Sequence, residues 1–263
     1  MKADRTYYPY GSHPYRVARN KGDAPLPLVL TPPPLVVSSR GGLKLAVLLP
    51  CRGTVFSLAM ESILRECLVQ TNYTIAIFFT HGMNIPEAQQ NLVKRALAWG
   101  AQATWLVEED NYMPAGVLAE LISRHTIATP WSATRRGLAY PVVSCSYYDH
   151  DGCGWVVPEW GHRMAFHAFG CTLVHRTVWE AIGAPYVSRG KLIHFTASGT
   201  PYEDATKFYP YGGQDVKFSF DLYQRGISSH RLDGKRWRCG HLHVERQGDR
   251  ASNATGASTV VMM

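Results

Sequence analysis

Three consecutive acids, Glu108, Glu109 and Asp110, have the clearest capacity for chemistry in this sequence. They directly follow a short β-favouring segment, residues 104–107, and a proline, Pro114, comes soon after them. This pattern predicts a buried strand that ends in an acidic turn. Carboxylates so crowded repel one another unless a cation lies among them, and a hard divalent ion with a bound diphosphate would serve. Three acids alone could equally form a solvated loop, so the surrounding elements must decide.

The elements before the acids alternate between buried strands and helices. Continuous apolar runs predict the strands, and apolar residues at helical spacing predict the helices. The predicted order is strand 43–50, helix 55–69, strand 74–80 and helix 85–99 with Gly100 as its C-terminal cap. This order indicates an α/β fold with a doubly wound nucleotide-binding half, whose ligands lie at the carboxyl ends of the strands. The sequence has neither GxGxxG nor GxxxxGK[ST], so a dinucleotide Rossmann domain and a P-loop enzyme are not indicated.

The second half of the chain is less regular. We predict helices over 117–124, 177–182 and 216–224, and strands over 141–148, 169–175, 227–232 and 237–243. Residues 149–167 are rich in Gly, Trp and His, which predicts a substrate-facing insert without continuous secondary structure. Residues 188–207 are interpreted only as a polar segment.

Composition indicates one catalytic domain with loose ends. Of the 263 residues, 46% are apolar, which is enough for a large core, and no apolar run approaches the roughly 20 residues that a membrane span needs. We therefore expect a cytoplasmic protein. The six cysteines form no CxxC pair and are expected to be buried thiols. The net charge of +7 favours an anionic partner, which could be a nucleotide, a nucleic acid or a membrane surface.

Both ends of the chain differ from its middle. Residues 1–42 are rich in Tyr, Pro and basic residues, which predicts an extended or partly disordered arm. Such an arm could pack on the domain, or its aromatic and basic side chains could stack on nucleotides. Residues 43–244 form the expected domain, and residues 245–263 are expected to be a disordered tail.

The order of motifs resembles that of the GT-A glycosyltransferases, and in particular the family 2-like enzymes of bacteria and their phages. The resemblance covers residues 43–244. Residues 49–53 (LPCRG) are similar to the family's VxIPxRG, and residues 106–114 (LVEEDNYMP) to FLDDDMxxP. Residues 169–183 are similar to GxGxxLIRRxVFxxIG, residues 213–218 to GEDVxF, and residues 238–242 to xxCGHL. The resemblance implies a Rossmann-like fold with a mixed central sheet flanked by helices.

The resemblance also implies roles for individual residues. Residues on the donor side would be Pro50, Cys51, Arg52, Gln90, Asn91, Glu108, Glu109 and Asp110. Residues on the acceptor side would be Gly170, Cys171, Gly213, Gln214 and Trp160. Asp110, Glu108 and His241 would hold Mn²⁺ or Mg²⁺, although the first DxD acid is Glu108 rather than Asp, so Asp110 alone could bind the ion directly. The usual Glu of the ED pair is Gln214, which leaves Asp215 as the base of an inverting transfer from a nucleotide-diphosphate sugar, with UDP-sugar first.

Several alternatives stay open at this point. A nucleotidyltransferase would share the acidic strand end, but the sequence lacks the glycine-rich loop expected near its first strand. A catalytically inactive nucleic-acid-binding module would fit the positive charge. His241 could be an ordinary structural histidine, and a zinc site at Cys239, His241 and His243 is discounted because no second cysteine pair lies nearby in sequence. The acceptor could be modified DNA, ranked first on charge alone, or a capsid protein or a surface polysaccharide.

Overall fold

The structure, a computed structural model, describes residues 32–39, 41–51, 55–127, 139–147, 164–209, 213–233, 236–245 and 259–262. For residues 146–147, 241, 243–245 and 259–262 it describes the backbone only. The predicted site residues Arg52 and Trp160 lie outside the described part of the chain. So do residues 1–31 of the predicted arm, residues 149–163 of the predicted insert, and residues 246–258 and 263 of the predicted tail.

Five helices lie in the described part of the chain. They are α1 (Ser57–Leu68), α2 (Ile85–Trp99), α3 (Val117–Arg124), α4 (Arg176–Ile182) and α5 (Gln214–Gln224). The strands of the central sheet are β1 (Leu35–Ser39), β2 (Leu43–Cys51), β3 (Tyr73–His81), β4 (Ala103–Val107), β6 (Val142–Ser144), β8 (Cys171–His175) and β11 (Ser229–Arg231). The smaller sheets contain β5 (Asn111–Tyr112), β7 (Ser146–Tyr147), β9 (Lys191–Phe195), β10 (Pro201–Phe208), β12 (Arg238–Glu245) and β13 (Thr259–Met262).

The central sheet is mixed and has the strand order β1-β3-β2-β4-β8-β6-β11. Strands β3, β2 and β4 are parallel, as are β6 and β11, whereas β8 lies antiparallel between β4 and β6. Strands β2, β4 and β6 therefore all end at the edge of the sheet where β8 begins. The predicted α/β fold with a mixed, helix-flanked sheet is confirmed.

Helices cover both faces of this sheet because its strands alternate between two apolar sides. Leu45, Val47 and Leu49 of β2 belong to a core cluster with residues of α1 and α3. Ala46 and Leu48 belong to a second cluster with residues of α2, α4 and α5. Both sides of β2 are thus buried, as its continuous apolar run predicts.

The largest differences from the predicted elements lie in three segments. The polar segment 188–207 contains most of an antiparallel hairpin, β9–β10, which was missed because its strands are polar and half-exposed. Strand β1 lies within the predicted arm and pairs antiparallel with β3. The prolines before it do not prevent this pairing, because an edge strand forms sheet hydrogen bonds on only one side. Residues 259–262 of the predicted disordered tail form β13 and pair with β12, since the apolar, β-branched run at 259–261 favours a strand.

Within the described ranges, the structure has no helix that is long and apolar enough to cross a membrane.

Candidate active site

The predicted donor and acceptor segments meet at one edge of the central sheet. Burial raises the pKa of the thiol of Cys51, the last residue of β2, to about 12, and the charge of Glu109 contributes to this rise. Cys51 and Glu109 therefore lie close together. Cys171, the first residue of β8, pairs with Val107, the last residue of β4. The segment Pro50–Cys51, the acidic turn at residues 108–110 and Gly170–Cys171 are therefore brought together.

The acidic turn is largely buried. Glu109 is 5% exposed and Asp110 is 8% exposed, so the turn is not a solvated loop. The backbone N–H of Asn111 donates to the Glu108 carbonyl at 3.3 Å, which closes the turn, and Asn111 Nδ2 lies 3.5 Å from Glu108 Oε2. Acids that fold into a buried position need compensating donors or cations.

Helix α1 and the residue before it contact the acidic turn and the segment that follows it. At its start, the Phe56 N–H donates to the Glu109 carbonyl at 3.1 Å. Further along the helix, Ser62 Oγ accepts a hydrogen bond from the Met113 N–H at 3.0 Å, and Arg65 Nη2 donates one to the Met113 carbonyl at 2.8 Å. Sequence reasoning missed these residues, although a buried serine within an apolar helical face is the signal that could have found one of them.

Glu66 continues this contact face and caps the next helix. Its side chain is almost fully buried, at 1% exposure, and its carboxylate oxygens accept from the Gly116 N–H at 2.9 Å and the Leu118 N–H at 3.1 Å. These N–H groups lie at the start of α3, where no residue of α3 itself provides a side-chain cap. A carboxylate suits this position because it accepts hydrogen bonds from the backbone N–H groups that have no partner within the helix, and because its negative charge lies at the positive end of the helix dipole.

Replacing Glu66 with glutamine should lower the free energy of unfolding by about 1–3 kcal/mol, because one buried N–H would lose its acceptor. Urea denaturation would measure the change. Glu61, which is exposed on the same helix, gives the matched control, and its replacement with glutamine should change stability by less than about 0.5 kcal/mol. Equal effects in the two variants would contradict the capping role.

Strand β12 closes the other side of the acidic turn. The Leu242 N–H donates to the Asp110 carbonyl at 2.6 Å, and the backbone of His241 pairs with that of Asn111. His241 therefore lies next to the acidic turn in space, although about 130 residues separate them in the chain. The predicted metal ligands Asp110 and His241 are brought to neighbouring backbone positions.

Asp215 lies in the first turn of α5, where its carboxyl group is buried while the residue as a whole keeps partial exposure. Burial raises the pKa of Asp215 to about 6, although the Val216 N–H, which donates to Oδ1 at 2.9 Å, acts in the opposite direction. A carboxyl group with this pKa changes its charge close to neutral pH, as a general base must.

The start of α5 is fixed to the same edge of the sheet as the acidic turn. Ser219 Oγ donates to the Asp215 carbonyl at 2.8 Å and accepts from the His167 N–H at 2.9 Å. Residue 167 belongs to the segment that leads into β8, and Phe169 of this segment packs edge-on against Phe218 of α5. The start of α5 and the acidic turn therefore both connect to the beginning of β8.

His167 anchors this connection. It is fully buried, and its two ring nitrogens lie 2.7 Å from Ser144 Oγ and 2.7 Å from Ser229 Oγ. Burial, together with the charge of Arg231, lowers the pKa of His167 to about 3, so the ring is neutral and donates through only one nitrogen. Sequence reasoning placed His167 only within a glycine-rich and tryptophan-rich insert.

The base of the β9–β10 hairpin packs tightly against the start of α5. Gly213 caps the helix with φ +68°, and a Cβ atom at this position would lie 2.4 Å from the Tyr209 ring. At Gly190 a Cβ atom would lie 1.9 Å from the Gly213 carbonyl oxygen. Burial raises the pKa of Tyr209, and the charge of Asp215 contributes to the same rise. Tyr209 is therefore also close to Asp215. The hairpin thus fixes the position of Asp215.

Replacing Gly213 with alanine should lower the free energy of unfolding by about 2–4 kcal/mol, because left-handed strain and the clash with Tyr209 add. Gly226, which follows α5 with φ +60° and has open space where a Cβ atom would lie, is the matched control. Its replacement with alanine should cost only the strain, about 1–2 kcal/mol. Urea denaturation of both variants separates the terms, and identical losses would show that the Tyr209 contact is not rigid.

The remaining predicted residues differ in their surroundings. Gln214 is 8% exposed, and within the described part of the chain its Oε1 atom has no hydrogen-bond partner. Gln90 Oε1 accepts from the Val187 N–H at 2.9 Å and so ties α2 to the segment after α4. The buried Asn91 Oδ1 atom has no partner among the described residues. Gln90 therefore has a structural contact, and a role for it in binding the nucleotide-sugar donor stays a prediction.

Comparison with known proteins adds little to this geometry. No protein family matches the sequence, and no curated protein is similar enough to be matched. A crystal structure of A197 from STIV is similar to this chain, with 17% sequence identity and a TM-score of 0.42. The similarity covers 82% of this chain and 96% of that one. A likeness at this level supports no functional argument.

Proposed function

We propose that this protein is a metal-dependent glycosyltransferase of the GT-A type. It would transfer a sugar from a nucleotide diphosphate, with UDP first, to an acceptor hydroxyl. The observation that carries the proposal is that two separate groups of carboxylates lie near one edge of the central sheet. One is the buried acidic turn after β4. The other is Asp215 at the start of α5, whose pKa is raised to about 6. The mixed sheet and the five motifs in their order support the same proposal.

The residues of the acidic turn fit a hard divalent cation. Asp110 carries a buried carboxylate, and the neighbouring Asn111 Oδ1 atom is buried without a partner among the described residues. Together with an imidazole from His241, this donor set is one that Mn²⁺ and Mg²⁺ accept. Asp110 and His241 would hold the ion, with Glu108 as a further oxygen ligand. A bound ion would neutralise the charge that develops on the departing diphosphate.

Asp215 is the proposed general base. Its carboxylate would accept the proton of the acceptor hydroxyl as the oxygen bonds to the anomeric carbon of the sugar. The bond from this carbon to the diphosphate oxygen breaks in the same step, so the configuration inverts. A base with a pKa of about 6 is ionised at neutral pH and binds a proton more readily than an ordinary aspartate.

Gln214 supports an acceptor site next to this base. Its buried Oε1 atom could accept a hydrogen bond from a second hydroxyl group of the acceptor and so orient it. The net charge of +7 favours an acceptor with negative charge, and we propose a hydroxylated base in DNA before a protein or a polysaccharide.

Thermal unfolding with nucleotide sugars tests the proposal. UDP-, GDP- and dTDP-sugars would each be added with Mn²⁺ and, separately, with EDTA. The correct donor should raise the midpoint only with the ion, and at 100 times its Kd it should stabilise the folded state by about 2.7 kcal/mol. Stabilisation by no nucleotide sugar would contradict donor binding, and an equal effect in EDTA would contradict the metal site.

A further inference from the structure

Three cysteine side chains meet in the interior just beneath the proposed site. Their Sγ atoms all lie within 4.8 Å of one another, and Cys145, Cys171 and Cys239 are each at most 2% exposed. They come from three segments of the chain: the residue after β6, the first residue of β8 and the second residue of β12. Sequence spacing concealed this cluster, because a zinc site near Cys239 was discounted for want of nearby cysteines.

The surroundings of the cluster are sulfur-rich. The thiol of Cys239 lies 3.8 Å from the thioether sulfur of Met113. Burial, together with the Cys145 thiol, raises the pKa of Cys171 well above its ordinary value, while the indole N–H of Trp105 acts in the opposite direction as a donor to the sulfur. Within the described residues, this buried indole nitrogen has no hydrogen-bond partner of ordinary geometry. The cluster therefore offers soft ligands and one donor suited to a thiolate.

We propose that Cys145, Cys171 and Cys239 form a structural site for a single thiophilic metal ion, Zn²⁺ or Cu⁺. Three thiolates around one ion with metal–sulfur bonds of about 2.3 Å would have their sulfurs about 4.0 Å apart, which the 4.8 Å limit accommodates. Each sulfur releases its proton as it bonds to the ion, and no electron is transferred. The thioether sulfur of Met113, beside Cys239, would be a neighbouring soft donor.

The size and composition of the cluster restrict the ion. An iron–sulfur cluster usually needs four cysteines, and the described part of the chain brings together three. Mg²⁺ and Mn²⁺ prefer oxygen ligands, so they belong to the acidic turn rather than to this cluster. Zn²⁺ and Cu⁺ both bind thiolates. Three thiolates with Zn²⁺ leave one net negative charge in the buried site, and with Cu⁺ they leave two.

The ion would connect two sheets. Cys145 and Cys171 belong to the end of the central sheet, whereas Cys239 belongs to β12, which pairs with β5 and β7 in a smaller sheet. Cys239 precedes His241 by two residues on the same strand. An ion held by the three cysteines would therefore fix the strand that brings His241 next to Asp110. This role is independent of whether sugar transfer occurs.

Metal content of the full-length protein tests the site. The protein would be purified under reducing conditions from cells grown with added Zn²⁺ and, in a second preparation, with added copper. Elemental analysis should find about one ion of one kind per chain, and X-ray absorption should show sulfur neighbours at about 2.3 Å. A coordination shell of oxygen and nitrogen alone would overturn the proposal, since it would assign the ion to the acidic turn.

The variant Cys171→Ala should reduce the metal content to a small fraction of one ion per chain. Cys67→Ala is the matched control, because Cys67 is equally buried on α1 but is not among the three cysteines whose sulfurs meet, and this variant should keep the ion. Retention of the ion by Cys171→Ala would overturn the proposal. If this variant does not fold, the absorption spectrum of the unchanged protein still decides. Absence of stoichiometric metal from both preparations would also overturn it.

Discussion

Replacing Asp215 with asparagine should lower the rate of sugar transfer about 10²- to 10⁴-fold at saturating donor, the usual contribution of a general base. Asparagine can still accept the hydrogen bond from the Val216 N–H, so the start of α5 should keep its position. Affinity for the nucleotide sugar should stay unchanged, because the loss affects only the proton transfer. A steady-state assay and calorimetry would measure the two quantities, and near-normal transfer would contradict the mechanism.

The pH dependence follows from the same carboxyl group. Because the pKa of Asp215 is about 6, transfer by the unchanged protein should decline as the pH falls through about 6. The raised pKa also means that ionised Asp215 is disfavoured in the folded protein. Folding stability therefore decreases as the pH rises from about 4 to about 6, and asparagine should stabilise the fold at pH 7.5 by about 1–3 kcal/mol.

Asp221 provides the control for this pair of effects. It lies on the same helix, and its carboxylate is 2.5 Å from Lys217 Nζ and 3.6 Å from Arg225 Nη1. Replacing it with asparagine should leave transfer unchanged and should not stabilise the protein. A gain in stability with a loss of activity at Asp215 alone would identify a buried charge that is retained for function.

Replacing Asp110 with alanine should abolish the metal-dependent binding of a nucleotide diphosphate. In calorimetry with Mn²⁺, the affinity of the variant should fall about 100-fold or more, to the level of the unchanged protein in EDTA, because the carboxylate that would hold the ion is lost. The contact between the Leu242 N–H and the Asp110 carbonyl involves only the backbone and should survive. Unchanged affinity would contradict the metal site.

Glu108 gives the graded comparison at the same turn. It is half-buried, and its longer side chain replaces the aspartate of the resembling motif. Glu108→Ala should therefore weaken binding less than Asp110→Ala. A stronger effect at Glu108 would make it the principal ligand and reverse the order of the two acids.

Local sequence patterns were sufficient for the first half of the fold. Strand β2, helix α2 with its cap at Gly100, strand β4 and helix α3 lie where apolar periodicity predicts them, because each buries a regular face. The acidic turn was likewise found from its position after β4. The β9–β10 hairpin was missed, since its half-exposed strands contain little apolar alternation.

Contacts between distant segments were beyond local patterns. The pairing of β12 with β5, the network around His167 and the three-cysteine cluster each join segments that lie far apart in the chain. Only the motif resemblance, which carries information about a whole fold, linked His241 to Asp110. The capping of α3 by Glu66 had no signal, because a single glutamate on a helix is normally an exposed residue.

The insertion of β8 between β4 and β6 has a consequence for how the protein is made. Synthesis proceeds from the N-terminus, and the parallel strands β3, β2 and β4 can pair before β8 and β12 have been translated. During this interval the edge of β4 has no partner, and the acidic turn lacks the backbone donor that Leu242 later provides. Strand β4 is thus an aggregation-prone edge until the ribosome has completed most of the chain, and the site forms last.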